Sequence, residues 1–361
     1  MEDRRRRARH ASGSRGVNGQ PDATGDLRVT VFASGRDDMI ARRTLCALAL
    51  ASLAAPSRAQ ASYPTRTVRV IVPSAPGDGG DSIARLYAHH LERRLGQSFV
   101  VENRTGAGGR IGTEVAVRAA PDGYTLVMGN AGSHGINAAL YRSLPYDIAS
   151  DFAPISLLVE APNVLVVNRA KLPVKDVAEL IAYAQRRPGE IAYASGGPGT
   201  SAHLTMELFR SLAGVDLQHV PFRGAVPALQ ALVSGEPPVM FVNLPSAMAF
   251  IRRVELAALA VTSLERTPDL PDVPTVAESG LPGFETIAWF GLLAPAGTPR
   301  PVIETLHRAC VEISALPDVI EKIRLIGGFP RASTPEAFRD RIVADIAKWR
   351  RLVAERNLAQ E

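Results

Sequence analysis

The chain has 361 residues, of which 46% are hydrophobic and 21% charged, a balance that suits a globular protein of one to three domains. Its formal charge of +5 arises at the N-terminus, because residues 1–61 hold eleven arginines and six acidic residues and leave 30 basic and 30 acidic residues in the remainder. The remainder is electrically balanced, so it lacks the basic footprint of a nucleic-acid-binding protein.

The N-terminal stretch is predicted to contain a secretory signal peptide. Residues 1–38 are rich in arginine and small polar residues, and we expect them to be disordered or to precede the true start. From Met39 onward, a pair of arginines, an apolar run at 45–55 and a small-x-small cleavage site follow in signal-peptide order. We therefore expect residues 39–61 to be removed after export to the periplasm, by the Sec or the twin-arginine route.

Apolar runs alternate with amphipathic helical patterns after residue 62, which predicts an α/β fold. Strands are expected at 63–72, 99–102, 124–129, 155–160, 164–168, 191–194, 217–220, 239–242, 256–261 and 289–294. Helices are expected at 82–95, 113–119, 174–187, 202–213, 226–234, 302–316, 317–326 and 335–356. Two such series in one chain imply two α/β units with a cleft between them.

The stretch 69–81 joins the first strand to the first helix through two prolines and three glycines, with Asp81 at the expected helix N-cap. Such a turn presents free backbone N–H groups at the positive end of a helix dipole. It predicts an anion site, for phosphate or carboxylate. Other loops at 130–134, 195–201 and 243–246 also follow strands, where open α/β sheets bind their ligands.

The familiar catalytic and nucleotide motifs are incomplete. The first loop lacks the Gly-Lys-Ser/Thr ending of a P-loop, and the third glycine of the loop at 106–112 comes one residue late for a dinucleotide fingerprint. Ser201 and His203 lie outside any Gly-x-Ser-x-Gly elbow, and the histidines lack metal-ligand spacing. Cys310 falls in a helical pattern and is predicted to pack in the core. We therefore expect no catalytic group, metal or cofactor.

The chain resembles a known family from residue 63 to residue 358. Nine stretches between residues 63 and 299 carry this resemblance. In chain order they are YPTRTVRVIVPSAPGDGGDSIAR, VVENRTGAGGRIGTE, APDGYTLVMGNAGSHGIN, YASGGPGTSAHL, HVPFRG, MFVNLPSA, ALAVTS, LPDVPTVAESGLPGF and WFGLLAPAGTP. On these residues the chain resembles the periplasmic solute-binding proteins of tripartite tricarboxylate transporters, called the Bug or TctC family.

The resemblance implies a two-lobed α/β fold of the type II periplasmic-binding-protein kind. Each lobe would be a mostly parallel sheet flanked by helices, with the ligand cleft between the lobes. Residues 62–162 and 288–361 would form lobe 1, and residues 163–287 would form lobe 2. Hinges would lie near Ala161-Pro162 and near Trp289.

The resemblance also implies a function. As a monomer without a cofactor, the protein would capture a small organic carboxylate and deliver it to the membrane subunits of a tripartite tricarboxylate transporter. The alternative is a ligand-sensing protein that passes its closed state to a signalling partner. A more remote alternative is an enzyme, either a nucleotide-dependent oxidoreductase or a serine hydrolase.

The ligand-side residues implied by the resemblance come from the loops that follow the strands. They are Ser74, Gly77, Asp78, Gly79, Gly80, Asp81, Ser133, Ser195, Gly197, Thr200, Phe222 and Asn243. Two residues depart from the family pattern. Asp78 stands where the family usually has glycine, and its negative charge would disfavour a carboxylate ligand unless it points outward. Val242 stands where many members have Asp, which favours a less polar ligand end.

Overall fold

The computed structural model describes residues 63–356 and 358–359, so the predicted N-terminal extension and signal peptide, 1–38 and 39–61, lie outside the described part of the chain. Strands and helices alternate along the described residues, which confirms the predicted α/β architecture. None of the helices in this part of the chain combines the length and the apolar character needed to cross a membrane.

Most of the predicted apolar and amphipathic runs become strands and helices. The first strand begins at Val68 and not at residue 63, and the helix at 137–140 and the strand at 329–330 were not predicted. The strands are β1 (Val68–Val72), β2 (Phe99–Asn103), β3 (Thr125–Asn130), β4 (Phe152–Val167), β5 (Ala192–Ser195), β6 (Gln218–Pro221), β7 (Val239–Asn243), β8 (Ala257–Val261), β9 (Ile287–Pro295) and β10 (Phe329–Pro330). The helices are α1 (Gly79–Leu95), α2 (Arg110–Val117), α3 (Asn137–Leu140), α4 (Val177–Gln185), α5 (Ser201–Ala213), α6 (Ala225–Ser234), α7 (Leu244–Arg252), α8 (Arg300–Ser314), α9 (Pro317–Leu325) and α10 (Pro335–Arg356).

The strands pair in the order β2-β1-β3-β9-β4-β7-β5-β6, and both β8 and β10 pair with β4. The pairings of β1 with β2 and β3 and of β5 with β6 and β7 are parallel. The strands β9 and β4 run antiparallel to their neighbours. We call β1, β2, β3, β9 and the first part of β4 the β1 side of the sheet, and β5 to β8 with the last part of β4 the β7 side.

Helices cover both faces of each side. On the β1 side, Val70 belongs to the core beneath α1 and α8, whereas Ile71 belongs to the core beneath α2 and α10. On the β7 side, Leu165 packs with α4 and α5, and Val164 packs with α6 and α7. Successive side chains of a strand point to opposite faces, so strands covered on both faces need continuous apolar runs.

The strand β4 connects the two sides. The sequence predicted two strands broken at Ala161-Pro162, which is wrong, because β4 runs unbroken for 16 residues. Its residues up to Pro162 pair with β9, and from Asn163 it pairs with β7. Proline suits an extended backbone and loses only one donor, and here it falls where the strand changes partners.

Two helix starts also differ from prediction. Helix α1 begins at Gly79 with Asp78 as its N-cap, so the prediction of Asp81 as N-cap is wrong. The residues after Asn243 were predicted as a loop, but they open helix α7, which has a proline in its first turn. Proline breaks a helix interior, yet it is favoured at the first helical position because no intrahelical N–H bond is lost there.

Helix α10 is attached to β9 through a buried polar contact. The indole Nε1 of Trp289, which is fully buried, donates to Asp345 Oδ2 at 2.5 Å. The guanidinium of Arg341 lies 3.3 Å from Asp345 Oδ1 and offsets the carboxylate's charge. The contact therefore fixes the C-terminal helix on the β1 side, directly behind the strand that carries Trp289.

We predict that Asp345→Ala lowers the free energy of unfolding by about 1–3 kcal/mol, because it leaves the buried indole N–H without an acceptor. The matched control is Asp340→Ala, which removes an exposed carboxylate from the same helix and should change stability by less than about 0.5 kcal/mol. Urea unfolding measures both variants. Equal midpoints for the two variants would contradict the assigned role of Asp345.

Candidate ligand-binding site

A cavity of about 310 Å³ lies at the ends of the strands, between the β1 side and the β7 side. The loops that line it follow β1, β2 and β3 on one side and β5, β6 and β7 on the other. These loops lead from strands into helices, which is where ligands bind in open α/β sheets. The volume is large enough for a small organic molecule.

Helix N-termini converge on this cavity. Its lining includes Gly80 in the first turn of α1, Ser201 and Ala202 at the start of α5, and Ala225 at the start of α6. The first N–H groups of a helix have no intrahelical acceptor and carry the positive end of the helix dipole. Together these ends make the cavity a favourable place for an anion.

The loops of the two sides touch backbone to backbone over the cavity. Gly108 has a φ of 61°, and a Cβ at this position would overlap the carbonyl oxygen of Pro198. Across the cleft, a Cβ on Gly224 would lie 2.6 Å from the Cβ of Ala75. Glycine is therefore required at these contacts, and the structure is that of a cleft closed over its cavity.

Asp78 bridges the two sides. Its Oδ1 accepts a hydrogen bond from Val226 N at 3.0 Å, and its Oδ2 accepts from Ala225 N at 3.3 Å. The same Oδ2 accepts from Ala75 N in its own loop at 3.2 Å. The carboxylate thus caps α6 from across the cleft. A second bridge runs beside it, from Gly79 N to Ser246 Oγ at 2.9 Å.

The surroundings of Asp78 set its protonation. Burial raises the pKa of Asp78 to about 6, although the three backbone N–H groups that donate to it act in the opposite direction. The nearby charge of Asp81 adds to the rise. Asp78 is 7% exposed and is still mostly ionised at pH 7, so the wall of the cavity carries a negative charge.

Asp81 has a different role, although it lies only three residues further along. It accepts hydrogen bonds from Gly77 N, Arg85 Nε and Asn103 Nδ2. Burial would raise the pKa of Asp81, but these hydrogen bonds lower it overall. Asp81 therefore fixes the loop from behind and does not line the cavity.

The predicted ligand-side residues fall into two groups. The cavity is lined by Ser74, Asp78, Gly79, Gly80, Gly197, Thr200, Phe222 and Asn243, whereas Gly77, Asp81, Ser133 and Ser195 lie outside its lining. Ser133 is fully buried, with its Oγ 2.8 Å from His134 Nδ1. Ser195 is also fully buried; its Oγ lies 2.6 Å from His219 Nε2 and accepts from Gly197 N. These two hydroxyls shape their loops from within.

Two polar atoms in the lining are buried without a hydrogen-bond partner among the described residues. They are Ser74 Oγ, from the β1 side, and Asn243 Oδ1, from the β7 side. Buried polar atoms in native proteins are nearly always hydrogen-bonded, to protein, to water or to a ligand. Their position on the cavity wall points to a molecule in the cavity as the missing partner.

Several lining residues were not predicted from the sequence. Trp289 and Phe290 of β9 and Ser246 of α7 all line the cavity. The sequence predicted Trp289 and Phe290 as part of an apolar strand, with a hinge near Trp289, and Ser246 as part of a loop. Arg223 also lines the cavity and is exposed at its rim. Its position next to the predicted wall residue Phe222 was the one sequence feature that could have identified it.

The hydroxyl and imidazole that suggested a hydrolase are not paired with each other. Ser201 Oγ accepts from Asn163 Nδ2 at 3.1 Å. His203 Nδ1 accepts from Gly199 N at 3.4 Å, and its ring stacks on His219. Burial lowers the pKa of His203 to about 4, so its ring is neutral at pH 7. In the described structure these residues stabilise the loop after β5.

Comparisons with known proteins agree with this geometry. The model of the tripartite tricarboxylate transporter family receptors matches residues 83–358. The protein BugT of Bordetella pertussis is 38% identical over 309 residues, which is 85% of this chain and 94% of BugT. A solved structure of an R. palustris protein with adipate is 37% identical, covers 82% of this chain and 99% of its own, and has a TM-score of 0.80.

A second solved structure, MatC from Rhodopseudomonas palustris with bound malate, is 36% identical and covers 81% of this chain and all of its own, with a TM-score of 0.77. The family match spans most of the described residues, and the relatives align over nearly their full lengths. The chain therefore belongs to the tripartite tricarboxylate transporter family receptors, the TctC or Bug periplasmic solute-binding proteins.

Proposed function

We propose that this protein captures a small organic carboxylate in the cavity between the β1 side and the β7 side. The observation that carries the proposal is the cavity itself, on which helix N-termini converge. Two atoms of its lining residues, Ser74 Oγ and Asn243 Oδ1, have no partner within the described part of the chain. Two solved relatives hold dicarboxylates, adipate and malate. The helix N-termini at the cavity and the ligands of the two solved relatives therefore both support an acidic ligand.

We infer that the acid group of the ligand binds at the start of α1. Ser74 Oγ lies next to Gly80, since a Cβ on Gly80 would be 3.2 Å from it. A hydroxyl and an N–H group at a helix start are both suitable donors for a carboxylate. Asn243 faces the ligand from the other side of the cleft, where its oxygen can accept from a ligand hydroxyl or from a bridging water.

The rest of the ligand lies against apolar walls. Phe222 comes from the β7 side and Phe290 from the β1 side, and both line the cavity. Aromatic faces bury apolar surface and accept flat or aliphatic groups of varied shape. The site therefore recognises an acid group through polar contacts and the remainder of the molecule mainly through shape.

Binding is coupled to movement of two lobes, 62–162 with 288–361 and 163–287. The change of strand partners supports this division, because β4 leaves β9 at Pro162 and joins β7 at Asn163. Extended segments that cross between two units are natural hinges. The closed lobes would then present the ligand to the membrane subunits of a tripartite tricarboxylate transporter in the periplasm, after removal of residues 39–61.

We predict that at least one carboxylate from a panel of hexanoate, adipate, malate, succinate and benzoate raises the melting temperature of ligand-free protein. At a concentration of about 100 Kd the added stability is about 2.7 kcal/mol. The protein is first unfolded and refolded during dialysis, so that any bound molecule is removed. Uncharged amides of the same acids serve as controls. A full panel without any shift would refute the proposed function.

Cleft closure can be tested at Gly108. We predict that Gly108→Ala abolishes binding of the best acid, because the added Cβ meets the backbone of Pro198 when the lobes close. Gly214→Ala is the matched control: Gly214 has the same φ of 61°, but no atom of the described residues lies within 4 Å of its Cβ position.

Both substitutions strain a left-handed backbone position and should cost about 1 kcal/mol of stability. Only Gly108→Ala should lose the ligand. Calorimetric titration and thermal unfolding of the two variants separate binding from stability. Equal affinities for the two variants would show that closure at Gly108 is not needed.

The buried state of Asp78 predicts a dependence of stability on pH. The pKa of Asp78 in the folded chain, about 6, lies above its ordinary value of 3.8, so the folded chain binds an extra proton between these two values. The stabilisation that this extra proton adds is therefore complete below pH 3.8 and is lost as the pH rises through 6.

Relative to Asp78→Asn, the wild type should gain roughly 2 kcal/mol of stability between pH 7 and pH 4, at up to about 1.4 kcal/mol for each pH unit. Urea unfolding of both proteins across this range gives the difference at each pH. A difference that stays constant with pH, or that moves in the opposite direction, would contradict the raised pKa.

A further inference from the structure

The carboxylate of Asp78 occupies a position that a ligand's acid group could otherwise take. It lies on the cavity wall, at the N-terminus of the ten-residue helix α6, and accepts from the first two N–H groups of that helix. With the third donor, Ala75 N, both carboxylate oxygens have partners. One of the positive helix ends that face the cavity is therefore already matched with a negative charge from the protein itself.

The other side of the cavity is different. Ser74 Oγ is buried and has no partner among the described residues, and Gly80 beside it is in the first turn of α1. This end of the cavity offers the hydroxyl of Ser74, although Gly79 N already donates to Ser246. The α6 end has its first two donors in use and a negative charge next to them. The two ends of the cavity are therefore electrostatically unequal.

The apolar part of the lining reinforces this inequality. Val242 is fully buried in the lining, and Phe222 lies in the loop that leads into α6. Neither side chain can pair with a second acid group, and the cation of this loop, Arg223, is exposed at the rim of the cavity. A second carboxylate placed near Asp78 would face a like charge at close range, which disfavours its ionised form.

We propose that Asp78 is a specificity-determining residue that fills the anion position at the N-terminus of α6, so that this protein selects ligands with one carboxylate over ligands with two. The inference rests on the proposed function and adds the class of acid to it. It also gives Asp78 a role: its carboxylate takes the place of a second anion and bridges the two sides of the cleft.

The test compares two ligands with the same six-carbon chain, hexanoate and adipate. Calorimetric titration at pH 7.5 should show hexanoate binding to the wild type at least ten-fold more tightly than adipate. In Asp78→Gly the α6 N–H groups are released and the charge is removed, so the ratio of hexanoate to adipate affinity should shift at least ten-fold toward adipate. Asp78→Asn should shift it in the same direction.

The matched control is Asp176→Asn. Asp176 also accepts from a helix N-terminal N–H group, that of Glu179 at 2.8 Å, but it lies away from the cavity. The ratio of hexanoate to adipate affinity in Asp176→Asn should equal that of the wild type. Circular dichroism checks the fold of each variant, and the wild-type ratio decides the matter even where a variant does not fold.

The outcomes separate the two proposals. If hexanoate, adipate and the rest of the carboxylate panel all fail to bind, the proposed function fails and this inference falls with it. If carboxylates bind but the wild type prefers adipate, or if Asp78→Gly and Asp78→Asn leave the ratio unchanged, only the inference about Asp78 is overturned.

Discussion

The site depends on one electrostatic constraint, the convergence of positive helix ends on a small closed cavity. The starts of α1, α5 and α6 all line it. Each helix end carries roughly half a positive charge and N–H groups without intrahelical acceptors. Such a cavity is stable only when negative charge or acceptor atoms come close to the helix ends. Asp78 supplies part of this charge from within the chain, and an acid ligand is suited to supply the rest.

Close backbone contact makes this arrangement possible. Helix dipoles act over a short range, so the loops must bring the helix ends to within a few ångströms of the same molecule. Gly108 and Gly224 allow the loops of the two sides to meet, because a Cβ on either residue would overlap an atom of the facing loop. The unbroken strand β4 holds the two sides in one sheet while its partners change at Pro162. The two glycines and the continuous strand β4 therefore act together: the glycines let the loops approach each other, and β4 keeps the two sides joined.

The sequence predicts the architecture better than it predicts the direction of individual side chains. Alternating apolar and amphipathic runs are local patterns, so the α/β fold and the loops at the strand ends could be inferred from them. The direction of a hydroxyl is not local: Ser133 and Ser195 turn inward because His134 and His219 lie behind their loops, and strand pairing brings His219 beside Ser195. The prediction of Asp81 as N-cap failed for a similar reason, since Arg85 and Asn103 hold its carboxylate elsewhere.

Asp78 shows why this distinction matters for function. From the sequence, a negative charge in the anion loop argued against a carboxylate ligand unless the side chain pointed outward. In the structure Asp78 is the N-cap of α1, yet its carboxylate makes no capping bond to α1 and turns across the cleft to α6. Its charge is thereby offset by a different helix, and its carboxylate takes none of the donors of α1. Asp78 thus occupies the anion position at the start of α6 and leaves the one at the start of α1 open. This difference between the two helix ends favours an acid with a single carboxylate.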